Sequence, residues 1–153
     1  MPTSILALGL LAACGGPELS CPEPALPSPT PTYVDTLESL VLVPARANLR
    51  DASTAEVDSF ASLTAQTQAA CGESPPGGAC DLTTLRAALV ALPTPDHPGV
   101  FTGIEASLDA AIASAHADFA PADRDCAGQP EAACDARAIT GAFARAVCGV
   151  RNP

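Results

Sequence analysis

The chain has 153 residues, which suits a single domain, and a formal net charge of -10 from 17 acidic residues against 7 arginines and no lysine. The negative charge argues against nucleic acid as a partner, because phosphates would be repelled. The missing lysine excludes Walker-type phosphate binding, Schiff-base chemistry and lysine general bases. Aromatic residues make up only 3% while alanine is abundant, so the composition favours an all-α fold packed through small side chains.

The chain begins with a short apolar run between Ile5 and Ala13. As a helix this run would extend only about 14 Å, less than half of a ~30 Å hydrocarbon core. It is therefore too short to span a membrane, and its shape is typical of an export signal that is removed from the mature protein. The preceding residues 1–4 carry no lysine or arginine, whereas export signals usually begin with positive charge.

The end of this run resembles the lipobox of bacterial membrane lipoproteins at all four positions: Leu11, Ala12, Ala13 and Cys14. The resemblance implies a signal peptide at residues 1–13 and a mature protein that begins at Cys14, with a diacylglyceryl group on its sulfur and usually an acylated amine. More than one acyl chain holds a protein stably on a membrane. Gly15 follows the cysteine where inner-membrane lipoproteins carry aspartate, so the resemblance implies a bacterial cell envelope location, in the outer membrane rather than the inner one.

Residues 14–32 are predicted to form a lipidated, proline-rich tether ahead of a helical domain at residues 33–153. Proline lacks the amide donor and clashes with the preceding turn, so its density here opposes a helix. In polyproline II form the eighteen residues from Gly15 to Thr32 would reach about 55 Å. The prediction is a semi-rigid spacer, with a proline-rich recognition ligand as the alternative.

Five helical segments are predicted after the tether. The first covers residues 33–43 and should end or kink at Pro44, with a short turn to about Arg50. The second opens at Ser53, and Glu56 three residues later completes the spacing of a capping box.

The last three helices follow from apolar periodicity. The third begins at Cys80 and Asp81 and continues to Pro93, and the fifth begins near Glu131. The fourth has the clearest helical stripe, which predicts the centre of the core: Phe101, Ile104, Leu108, Ile112, Ala115 and Phe119. The tripeptide Ala-Cys-Asp occurs at 79–81 and again at 133–135, which favours two helical hairpins side by side with a short N-terminal helix, although chance similarity is the alternative.

Six cysteines remain once Cys14 is assigned to lipid, and an even number in an exported protein predicts three disulfides. Six cysteines allow about 15 pairings, and the sequence alone does not choose among them rigorously. Two cysteines flank the loop between the second and third helices, and two others flank the loop between the fourth and fifth helices. This arrangement predicts two short bridges, and the two remaining cysteines would form one long bridge. The pairs are Cys71 with Cys80, Cys126 with Cys134, and Cys21 with Cys148.

No metal site, cofactor or catalytic residue is predicted. Closely spaced cysteines or paired histidines are missing, and the partial calcium loop that contains Asp123, Asp125, Gly128 and Glu131 ends in cysteine where a bidentate acid is needed. Only His97 and His116 could serve as imidazole bases, and the neighbouring Asp96 does not make a dyad with His97.

Three classes of function remain. The first is a non-enzymatic envelope lipoprotein that binds another envelope protein or supports an assembly, with the membrane reached through lipid on Cys14. The second is a small-ligand-binding or enzymatic lipoprotein, which a deep pocket near His97 or His116 would favour. The third is a secreted inhibitor or effector lipoprotein, whose acidic surface would suit a basic target.

Overall fold

The computed structural model describes residues 16–23, 29–93, 96–124, 126 and 130–152; residues 1–13 and Cys14 lie outside them. The described residues contain no strand, and the predicted all-α class is confirmed. None of their helices combines the length and the apolar character needed to cross a membrane. A 3-10 helix, Pro121–Asp123, precedes the last of five α-helices, which are α1 (Tyr33–Arg50), α2 (Thr54–Gly72), α3 (Leu82–Val90), α4 (Val100–Asp118) and α5 (Glu131–Arg151).

Side chains cap the starts of the first three helices. The predicted capping box of α2 is confirmed, since the Ser53 hydroxyl accepts from the Glu56 amide and the Glu56 carboxylate accepts from the Ser53 amide. The same reciprocal pair, Thr32 with Asp35, opens α1. Asp81, predicted at the start of the third helix, caps α3 by accepting from two backbone amides of its first turn.

The first helix is longer than predicted. Of the two effects predicted at Pro44, an end or a kink, the end is wrong, because α1 continues to Arg50. Pro44 lies inside α1, although it cannot donate the backbone hydrogen bond to the Leu40 carbonyl. The helix continues because its buried stripe extends beyond the proline to Leu49, and the packing of that stripe offsets the missing hydrogen bond. The buried stripe consists of Tyr33, Leu37, Val41, Ala45 and Leu49.

The centre of the bundle is α5. This helix packs most extensively on α1 and also on α2, and twelve of its residues are buried. The prediction that the stripe of α4 forms the centre is wrong, because α4 packs mainly on α1 and its stripe residues Ile112 and Phe119 are only partly buried. Alanine supplies half of the buried residues of α5, and these small side chains allow close helix approach.

The helix directions bring three helix ends together. Residue Tyr33 at the start of α1 contacts Asp135 near the start of α5, and Arg46 near the end of α1 lies beside Gly149 near the end of α5. These two helices therefore run parallel. Gly103 near the start of α4 lies beside Asn48 near the end of α1, and His116 near the end of α4 contacts Tyr33. The helix α4 therefore runs antiparallel to α1, and its end meets the starts of α1 and α5.

Candidate functional site

A group of five polar side chains, here called the polar cluster, lies where the start of α1, the end of α4 and the start of α5 meet. Its members are Tyr33, His116, Arg124, Glu131 and Asp135. Tyr33 is at least 83 residues away from the other four in sequence, and the helix directions bring them together. Glu131 and Asp135 are one helical turn apart, which places both on one face of α5.

Short polar contacts connect the cluster into a chain. The Tyr33 hydroxyl donates to Asp135 Oδ1 at 2.7 Å, and His116 Nε2 lies 3.2 Å from the same hydroxyl oxygen. His116 Nε2 also lies 3.3 Å from Glu131 Oε1, to which Arg124 Nη1 donates at 3.0 Å. The Arg124 guanidinium further lies 6.0 Å from the centre of the Tyr33 ring, a distance at which a cation is attracted to an aromatic face.

Burial differs sharply across the polar cluster. Tyr33 and Asp135 are buried, with 1% and 4% of their surface exposed, whereas the side chain of Glu131 is 52% exposed. Burial is the main cause that raises the pKa of Asp135, and the hydrogen bond from Tyr33 opposes that rise. Burial and the adjacent Asp135 carboxylate raise the pKa of Tyr33 well above its ordinary range, so Tyr33 stays a hydrogen-bond donor at neutral pH.

These side chains can share protons across their short contacts, and they offer ligand atoms to a cation. One imidazole nitrogen and two carboxylates converge, so that one ligand atom from each of His116, Glu131 and Asp135 lies within 4.8 Å of the others. Nitrogen and oxygen ligands of this kind suit a divalent transition-metal ion. None of these residues was predicted as a metal ligand from the sequence.

The second histidine belongs to a separate pair at the start of α2. His97 Nδ1 lies 2.7 Å from Glu56 Oε1, and the Glu56 side chain is fully buried beneath the loop that carries His97. Within the described residues, Glu56 Oε2 has no hydrogen-bond partner. The Ser53 backbone amide and then His97 lower the pKa of Glu56, because both stabilise the ionised carboxylate. The partner of His97 is thus Glu56, 41 residues away, and not the neighbouring Asp96.

The six cysteines outside the lipobox lie at disulfide-bond distance in three pairs, and these are the three pairs that the loop positions predict. The Cα atoms are 6.0 Å apart in Cys21–Cys148, 4.8 Å in Cys71–Cys80 and 5.4 Å in Cys126–Cys134. Each separation falls in the range of native disulfides. The Cys71–Cys80 bridge therefore links the end of α2 to the residues just before α3. The Cys126–Cys134 bridge is attached to the first turn of α5.

The long bridge attaches the segment Gly16–Glu23, here called the docked segment, to the end of α5. Within it, the Ser20 backbone amide donates to Gln68 Oε1 at 3.0 Å, and Gln68 Nε2 donates back to the Ser20 carbonyl at 2.9 Å. Leu19 packs against the core. The docked segment, which is part of the predicted tether, is consequently held against α2 and α5.

Two surface cavities lie away from both histidines. One, of about 380 Å3, is beneath the docked segment and is lined by Ser20, Gln68, Cys71, Gly72, Arg137, Thr140 and Gly141. The other, of about 520 Å3, lies between the ends of α1 and α5 and is lined by Arg46, Arg50, Gly149, Val150 and Asn152. Neither provides the pocket beside His97 or His116 that would favour a ligand-binding or enzymatic lipoprotein.

Sequence reasoning missed most of the polar cluster. The sequence presents His116 only as an isolated base, and nothing in it links Tyr33 to His116 or Asp135, which lie 83 and 102 residues away. Arg124 is seven residues from Glu131, but no predicted helix contains both. Asp125 and Gly128 of the partial calcium loop, like the lipid-attachment residue Cys14, lie outside the described residues. No protein-family model, curated protein or solved structure matches the chain.

Proposed function

We propose that the chain is the precursor of a cell-envelope lipoprotein, cleaved before Cys14 and anchored by lipid on that cysteine. The observation that carries the proposal is the use of the cysteines. The other six pair with one another, so Cys14 is the seventh and is left for different chemistry, at the end of a lipobox-like tetrapeptide. Three disulfides also fit an oxidising compartment, which export would provide.

The docked segment supports a short connection between lipid and domain. Cys14 precedes Cys21 by seven residues, which span at most about 24 Å when fully extended. Cys21 is bonded to Cys148 in the last turns of α5. A lipid on Cys14 would therefore hold the helical domain near the membrane surface, and not at the ~55 Å that a free polyproline tether would allow.

For the domain itself we propose a non-enzymatic role as a structural or protein-binding accessory of the envelope. The arrangement of the two histidines supports this role. His97 is held by the buried Glu56 carboxylate, and His116 lies between the Tyr33 hydroxyl and Glu131. In both places the imidazole contacts acids or a phenol, and the described residues place no serine or cysteine nucleophile against it.

We further propose that each of the two short disulfides fixes the start of one helix, α3 or α5. The helices do not pair as two separate hairpins, since α5 packs on α1 and α2 whereas α4 packs mainly on α1. The Cys71–Cys80 bridge joins the end of α2 to the start of α3, and Cys126–Cys134 closes the turn that leads into α5. On chain-entropy grounds each closes a loop of about ten residues and stabilises the fold by roughly 2.5–3 kcal/mol.

Metabolic labelling with a fatty-acid analogue tests the anchor. The wild-type protein should be labelled and should fractionate with the outer membrane, whereas Cys14→Ser should lose both properties. The matched control is the double variant Cys21→Ser, Cys148→Ser, which removes two other cysteines and should keep the label. Equal labelling of the wild type and Cys14→Ser would overturn the proposed anchor.

Crosslinking in intact envelopes followed by affinity purification tests the accessory role. The proposal predicts one envelope protein recovered in a fixed ratio to the wild-type chain. That protein should be lost when Cys14→Ser releases the domain from the membrane. Recovery of the chain without any stoichiometric partner would contradict the accessory role while leaving the lipid anchor untouched.

A further inference from the structure

We propose that the polar cluster binds a divalent transition-metal ion, Zn²⁺ in particular, through His116, Glu131 and Asp135. The ligand atoms are already close to the separations that zinc requires. Bonds of about 2.0–2.1 Å in tetrahedral geometry place neighbouring ligand atoms about 3.3 Å apart. His116 Nε2 and Glu131 Oε1 are 3.3 Å apart, and no pair among the three ligand atoms is separated by more than 4.8 Å.

Tyr33 supports the site from behind two of its ligands. Its hydroxyl oxygen lies 3.2 Å from His116 Nε2 and 2.7 Å from Asp135 Oδ1. The hydroxyl can remain as a hydrogen-bond donor that orients Asp135, which is the usual role of a group behind a metal ligand. A water molecule or a partner's side chain can then complete the tetrahedron from the solvent side.

The burial of the three ligands provides both a fixed anchor and an entry path. Asp135 is 4% exposed, and its hydrogen bond to Tyr33 fixes the orientation of its carboxylate. The side chains of His116 and Glu131 are 34% and 52% exposed, so both can rotate toward an ion that arrives from solvent. A contraction of at most about 1.5 Å closes the widest gap to the zinc separation.

The ligand types select the ion. Zinc accepts both histidine nitrogen and carboxylate oxygen in a four-coordinate site, whereas Ca²⁺ takes six to eight oxygen ligands and Mg²⁺ usually retains several waters. The six described cysteines are paired in disulfides and supply no competing thiolate. The site is thus different from the calcium loop that the sequence imitates, although Glu131 belongs to both.

Arg124 is the competing cation. Its guanidinium donates to Glu131 Oε1 and neutralises part of the carboxylate charge that an ion would use. Zinc must therefore displace Arg124 from this oxygen or bind the other oxygen of Glu131. It follows that removing the arginine charge should strengthen metal binding, which a purely structural network would not predict.

The test is calorimetric titration of ZnCl2 into the purified mature protein, which begins at Cys14, with its disulfides intact. We expect one ion per chain, with affinity lowered more than about tenfold in His116→Gln, since loss of even an outer-shell partner has that effect. The matched control is His97→Gln, which removes the chain's other histidine and should bind as the wild type does. Arg124→Gln should bind more tightly than the wild type.

Histidine NMR resonances provide a second measurement that does not depend on stability. Addition of Zn²⁺ should shift the ring signals of His116 and leave those of His97 in place, and Ca²⁺ or Mg²⁺ should shift neither. The proposal is overturned if the wild type binds no zinc, if His116→Gln and His97→Gln bind it equally, or if Ca²⁺ substitutes for Zn²⁺.

Discussion

Replacement of Gly141 by alanine tests the close packing of α1 against α5. A Cβ atom at this position would lie 3.0 Å from Glu38 Oε2 and 3.2 Å from Glu38 Cδ, which is tighter than ordinary van der Waals contact. Glu38 cannot move freely, because its carboxylate pairs with Arg145 and both side chains are mostly buried. The added methyl group must therefore push a paired carboxylate away from its arginine.

The expected effect is a loss of stability of about 0–2 kcal/mol, because alanine favours the helix over glycine by about 1 kcal/mol whereas overpacking usually costs about 1–3 kcal/mol. Gly149→Ala is the control on the same helix. A Cβ there would lie 3.6 Å from Arg46 Nε, an ordinary contact, so that variant should gain about 0.5–1 kcal/mol from helix propensity.

Denaturant unfolding of both glycine variants, with disulfides intact, measures the difference directly. The cause is isolated by repeating Gly141→Ala in a Glu38→Ala background, where the obstructing carboxylate is gone and the substitution should become stabilising. If Gly141→Ala stabilises the wild-type protein as much as Gly149→Ala does, the close approach of α1 and α5 at Glu38 is refuted.

Three further substitutions have definite expected outcomes. Phe143→Ala removes a fully buried ring at the centre of the bundle and should lower the free energy of unfolding by about 3–5 kcal/mol in denaturant titrations. Tyr33→Phe leaves the buried Asp135 carboxylate without its donor and should cost about 1.5–3 kcal/mol with chelator present; an unchanged midpoint would contradict the hydrogen bond. Because the pKa of Glu56 is lowered in the folded state, its carboxylate stabilises the fold above about pH 4.3 and loses that effect as pH falls through the folded pKa. The stability difference between wild type and Glu56→Gln should therefore shrink on acidification, and a constant difference would rule out this ionised contact.

Local patterns in the sequence predict local structure well in this protein. The spacing of Ser53 and Glu56 identifies the start of α2, because both partners of a capping box lie within one turn. Cys71 and Cys80 are similarly close in sequence and flank one loop, so loop geometry alone favours their pairing. In both cases the interaction depends on few residues and hardly on the rest of the fold.

Predictions that depend on the whole bundle fail or are missing. Pro44 opposes a helix locally, yet the buried stripe on both sides of it keeps α1 continuous, and only the packing partners reveal that balance. The hydrogen bond from Tyr33 to Asp135 joins residues 102 apart, and the contact of His97 with Glu56 joins residues 41 apart. Such contacts require the helix directions, which periodicity does not provide.

Intact-mass spectrometry of the protein extracted from envelopes shows directly whether the first thirteen residues are removed and what Cys14 carries. We expect a chain that begins at Cys14, heavier than its polypeptide by one diacylglyceryl group, with or without a third acyl chain on the amine, and lighter by six hydrogens for three disulfides. A protein that retains residues 1–13 with a free thiol on Cys14 would contradict both the anchor and the oxidising compartment inferred from it.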